Sequence, residues 1–124
     1  IRDCVEKLSE RASIHNLMMG NVHSERGFQM LSAISVNKIF MRYIRVGIAG
    51  GSPCATNDST GYNRGQITEI IECSDQADND GLKVVADGGI KNGNYAAKAF
   101  GAGAEYVMMG GYFAKAKGKG TYCL

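Results

Sequence analysis

The sequence predicts an α/β fold of parallel strands joined by helices. Short apolar runs alternate with segments of helical period along the chain, about four times over. Three of the four apolar runs close on glycines, at the carboxyl ends of strands, where parallel α/β proteins bind their ligands.

The first element expected is a helix over Ile1 to Arg11, with Val5 and Leu8 at helical spacing. A short strand, Leu17 to Met19, follows and closes at Gly20 and Asn21. Ser24 is placed to cap a helix running to about Ile34, in which Phe28, Leu31 and Ile34 recur every third residue. Val36 to Arg42 fits either an extension of that helix or an insertion, and Tyr43 to Gly47 reads as the second strand. Beyond a glycine-rich loop, Gly47 to Gly65, the residues Ile67, Ile70, Ile71 and Ser74 mark one face of a helix that ends before the polar run Asp75 to Gly81. The third strand, Lys83 to Asp87, carries the β-branched Val84 and Val85 and stops at Gly88 and Gly89. A helix from about Asn94 to Phe100 leads to the last strand, Tyr106 to Met109. This strand ends in Gly110 and Gly111, and a further helix begins over Tyr112 to Ala116.

At 124 residues the chain suits a single domain, 1–124, with a real core. Its 44% hydrophobic and 21% charged residues argue for a folded chain. The net charge of +2 is spread along the sequence apart from Lys115, Lys117 and Lys119, so nucleic acid is not an expected partner; that run reads as a solvated tail or as a phosphate contact. The cysteines, Cys4, Cys54, Cys73 and Cys123, lack the close spacing of a metal knuckle or redox pair, and a reducing, cytoplasmic setting is the default. No apolar run is long enough for a membrane span, and the charged start Ile1 to Lys7 is unlike a signal peptide.

Three features carry chemistry. Gly88, Gly89, Gly110 and Gly111 would let backbone N–H groups at helix starts approach an anion, as a phosphate cradle does, although glycine pairs also serve plain tight turns. Cys54, in the loop Gly50 to Thr56, reads either as a nucleophile held partly as thiolate or as an inert loop cysteine. Asp87 ends its strand at the same mouth. Its carboxylate can accept two hydrogen bonds from a ribose diol or cap the following turn. His15 and His23 are expected to be structural or exposed, Cys4 and Cys73 to lie on helices, and the pairs Met18-Met19 and Met108-Met109 to sit in strand core.

Arg45 to Thr56, which reads RVGIAGGSPCAT, resembles the cysteine loop of the IMP dehydrogenase/GMP reductase family. The likeness begins at Gly20-Asn21-Val22, continues through Ala86-Asp87-Gly88-Gly89-Ile90 and Gly101 to Gly111, and covers nearly the whole chain in the family's order. It implies a (β/α)8 barrel of the TIM-barrel type, roughly 250 residues when complete, of which this chain holds about strands 5–8, a half barrel. It further implies a purine nucleoside monophosphate as ligand. Ser52, Gly89, Gly110 and Gly111, with Gly88 beside them, would hold the phosphate, and Asp87 the ribose hydroxyls. Cys54 would attack purine C2, Thr56 would supply an active-site hydroxyl, and the nicotinamide of NAD or NADP would stack near Gly47. Potassium would be ligated by the carbonyls of Ala49, Gly51 and Cys54. The family's tetramers imply a homo-oligomer; otherwise a second chain supplies the rest of the barrel. Ala49, at a position where the family usually has glycine, Pro53 before the cysteine, and Asn57 depart from the pattern.

Within the family, Gly50-Gly51, Arg64-Gly65-Gln66 and Tyr112-Phe113-Ala114 resemble the dehydrogenases, whereas Glu72-Cys73 and Lys98 to Gly103 resemble the reductases. The expectation is oxidation of IMP to XMP with NAD through a covalent Cys54 adduct. The alternatives are reduction of GMP to IMP with NADPH, a non-catalytic nucleotide-binding half barrel, and a flavin-type barrel fragment that uses the same phosphate glycines.

Overall fold

The computed structural model describes residues 17–35, 41–47 and 65–115, together with Asp3 and Lys7. Four strands, β1 (Leu17–Val22), β2 (Met41–Val46), β3 (Lys83–Asp87) and β4 (Tyr106–Met108), form one sheet in the order β1-β2-β3-β4. Every pairing is parallel, so each chain reversal is a crossover. Helices α1 (Glu25–Ser35), α2 (Gln66–Asp80) and α3 (Gly93–Gly101) alternate with the strands, and a single turn, α4 (Gly110–Phe113), follows β4. Helix α1 packs on α2, and α2 on α3, so the three share one side of the sheet. A doubly wound sheet reverses its strand order and places helices on both faces; this sheet advances one strand at a time in one direction, as a barrel does.

The core lies between that helical layer and the sheet. Alternation along β2 and β3 turns Ile44, Val46, Val84 and Ala86 toward the helices, where they are buried against Phe28, Ile70, Cys73 and Ala99. Tyr43, Arg45 and Asp87 point to the other face. There the rings of Tyr43 and Tyr106 meet edge to face with centroids 5.5 Å apart. Among the described residues, β1 and β4 each pair on one side only.

Local signals explain the helix boundaries. The Ser24 hydroxyl accepts a 3.3 Å bond from the Gly27 N–H at the start of α1, as its expected capping role requires. Asn92 caps α3, its Oδ1 accepting from the N–H groups of Asn94 and Tyr95. Gly81, in the left-handed region at φ 66°, ends α2.

Several sequence expectations need correction. Strand β1 does not close at Gly20 but continues to Val22; a Cβ at Gly20 would sit 2.5 Å from the Arg45 carbonyl oxygen, so glycine here allows close strand approach. Helix α2 runs through Asp75 to Asp80, because only Ala77 in that stretch must be buried and the polar residues face solvent. Its buried face is Glu69, Ile70, Cys73, Ser74 and Ala77, leaving Ile67 and Ile71 outside. Met18 is exposed, and Met19, Met108 and Met109 are half-buried rather than core. Gly110 and Gly111 form the first half of α4 instead of a loop before it. Cys73, expected on a helix, is there and fully buried. Of the expected helix over Ile1 to Arg11 only Asp3 and Lys7 are described, both helical; the rest of it, the stretch Val36 to Phe40 and the sites His15, Cys4 and Cys123 lie outside the described residues.

Candidate functional site

Asp87 is the last residue of β3, at the carboxyl edge of the sheet, and its side chain is 21% exposed. It does not stand alone. Arg45, two strand positions earlier on the same face of β2, donates from Nη2 at 2.7 Å and from Nε at 2.9 Å. Asn21 of β1 donates its Nδ2 at 3.1 Å. All three bonds end on Oδ2, so among the described residues Oδ1 is left to accept from a ligand. The carboxylate is thereby oriented by charge-assisted bonds from two neighbouring strands.

The peptide backbone at the same edge is tied as closely. Asn21 Nδ2 also donates to the Gly47 carbonyl at 2.6 Å, and the Gly47 N–H donates to the Val22 carbonyl at 2.8 Å. Gly47 has φ +125°, and a Cβ there would lie 2.1 Å from the Asp87 carbonyl oxygen, so no side chain fits between the ends of β2 and β3. Gln66, the first residue of α2, donates from Nε2 to that same carbonyl at 2.9 Å.

Beyond Asp87, Gly88 and Gly89 both take positive φ, 94° and 68°, and carry the chain toward α3. Across the β3–β4 pair, Gly110 and Gly111 are exposed, and among the described residues a Cβ on either would meet nothing within 4 Å. Two glycine pairs therefore follow adjacent strands at the sheet's carboxyl edge, the edge that also carries Asp87.

Of the expected site residues, Gly47, Asp87, Gly88, Gly89, Gly110 and Gly111 all fall along this edge. Ala49, Gly51, Ser52, Cys54 and Thr56 lie outside the described residues. Sequence reasoning gave no role to Asn21, Arg45 or Gln66. The available signal was Arg45 itself: a charged residue inside an apolar strand needs a partner on its face. Which carboxylate answered it depends on strand register, which the sequence pattern does not specify.

Residues 1–122 match the family described as IMP dehydrogenase / GMP reductase domain. GMP reductase of Caenorhabditis elegans is 36% identical over 110 residues, 89% of this chain and 29% of its own length. Human GMP reductase 1 is 40% identical over 101 residues, 80% of this chain and 27% of its own length. The crystal structure of a GMP reductase from Trypanosoma brucei matches with a TM-score of 0.77 at 26% identity, covering 88% of this chain and 24% of that one. The chain thus spans less than a third of the length of the relatives it matches.

Proposed function

Because the chain belongs to the IMP dehydrogenase/GMP reductase family, we propose that it forms part of a purine nucleotide oxidoreductase barrel and that the reaction is reduction of GMP to IMP with NADPH. The observation that carries the reading is the Asp87 carboxylate, fixed by Arg45 and Asn21 with Oδ1 unpartnered among the described residues, at the sheet edge where Gly88, Gly89, Gly110 and Gly111 follow adjacent strands. Relatives at 36–40% identity are named GMP reductases, which favours the reductase over the dehydrogenase that the local motifs favour.

In this proposal the four-stranded sheet supplies strands 5–8, and four more strands, from elsewhere in a longer chain or from a partner, close the barrel. Gly88, Gly89, Gly110 and Gly111, with Ser52, hold the nucleotide phosphate, and Asp87 accepts from the ribose hydroxyls. The purine C2 is thereby presented to Cys54, whose role rests on its motif. The Cys54 thiolate adds at C2, the C2–N2 bond breaks and ammonia leaves after taking a proton, for which the Thr56 hydroxyl is the nearest donor in sequence. NADPH, when bound, would supply hydride to C2, and the C2–S bond would then break to give IMP and return the thiolate.

The test is turnover by the intact protein. Loss of NADPH with appearance of IMP from GMP supports the reductase; NADH formed from IMP would replace it with the dehydrogenase. Nucleotide binding without either reaction would leave a non-catalytic binding half barrel.

A further inference from the structure

Gln66 occupies an odd place for its chemistry. At the first position of a helix an acidic side chain is favoured by the dipole, and Gly65 before it provides no side-chain cap. Yet the Gln66 side chain reaches across to β3, its Nε2 donating to the Asp87 carbonyl at 2.9 Å. A glutamate there would set a carboxylate against that carbonyl oxygen; only a donor suits the position. The contact is also crowded from a third side: a Cβ on Gly47 would fall 2.1 Å from the same oxygen and 3.6 Å from Gln66 Nε2. The end of β2, the end of β3 and the start of α2 therefore meet at one carbonyl group. The chain leaves the sheet at Gly47, which packs against this carbonyl, and enters α2 at Gln66, which bonds it.

We infer that Gln66 is a positioning residue for nucleotide binding: by holding the Asp87 peptide it fixes the height of the Asp87 carboxylate against the ribose hydroxyls. This rests on the reading of Asp87 as the residue that accepts from those hydroxyls. Oδ2 is oriented by Arg45 and Asn21, but neither restrains the Asp87 backbone carbonyl. Gln66 does.

The experiment compares affinities for GMP and for its 2′,3′-dideoxy analogue in the intact wild-type protein and in Gln66→Met, a near-isosteric change that removes the donor. The wild type is expected to prefer GMP by about tenfold, and Gln66→Met to cut that preference by about fivefold while binding the dideoxy analogue within about twofold of wild type. An unchanged preference in Gln66→Met, or an equal loss for both nucleotides as a merely structural role would give, overturns the inference. If Gln66→Met does not fold, the Gln66 side-chain amide resonances of the wild type decide: a shift with GMP well beyond that with the dideoxy analogue supports it, and equal or absent shifts overturn it. A wild type that binds both nucleotides equally removes the reading of Asp87 and the inference together, an outcome distinct from all of these.

Discussion

The Oδ2 atom of Asp87 sits 2.7 Å from Nη2 and 2.9 Å from Nε of Arg45, so one carboxylate oxygen takes both guanidinium donors across the β2–β3 pair. The Arg45 side chain is 38% exposed, and solvent screening limits its part in stability to less than about 1 kcal/mol. Its larger effect falls on the ligand. Arg45→Lys keeps the charge but cannot reproduce two donors in a fixed fork. Equilibrium titration of the intact protein should show nucleotide affinity reduced by about tenfold with a near-normal denaturation midpoint. A variant that binds as wild type would mean that Asn21 alone suffices to orient Asp87.

Gly47→Ala should do the reverse and fail as a fold element first. The residue has φ +125° and its added methyl would collide with the Asp87 carbonyl oxygen, a backbone atom with no side-chain freedom to retreat. A loss of about 2–3 kcal/mol in stability is expected, read from the shift of a denaturant midpoint.

The same two residues show how far sequence reasoning reached. Strand β3 was legible to the residue, Lys83 to Asp87, because two β-branched valines bounded by glycines leave little choice. The glycines and Asp87 were legible as strand ends because both residue types favour turns. Helix α2 was not. Its second half is almost wholly polar, which reads as loop, yet the helix continues with Ala77 facing inward and the polar residues facing solvent. The pattern did set Ser74 on one face with Ile70, and it is admitted to the buried side because its single O–H is shared between the carbonyls of Ile71 and Ala102. The Arg45–Asp87 pair spans 42 residues, and Asn21–Asp87 spans 66. Such contacts follow from register, and register is set by packing of the finished sheet.

At the opposite edge of the sheet, Glu105 Oε2 accepts the Val84 N–H at 2.8 Å while the Glu105 N–H donates to the Val84 carbonyl at 3.0 Å. Val84 is fully buried, so Glu105→Ala leaves its N–H without an acceptor and should cost about 1–3 kcal/mol. Glu105→Gln keeps a carbonyl oxygen and should cost less than half as much. Thermal melts of the two variants test the difference, and nucleotide affinity should be unchanged in both. The amino edge of a parallel sheet serves stability and the carboxyl edge serves ligands.

Gly110→Asp separates the two roles most sharply. A Cβ at this exposed position meets no atom of the described residues within 4 Å, so the substitution should change stability by no more than about 0.5 kcal/mol. An aspartate at the start of a helical turn is, if anything, favoured by the local dipole in the absence of ligand. If the glycine pair holds phosphate, the new carboxylate brings a like charge to within a few ångströms of it and fills the space through which it would approach. Affinity for a nucleoside monophosphate should then fall by at least about a hundredfold in calorimetric titration, while affinity for the free nucleoside, which lacks phosphate, stays near that of wild type. A protein that melts normally and still binds the monophosphate would move the phosphate away from β4 and leave Gly88 and Gly89 to hold it alone.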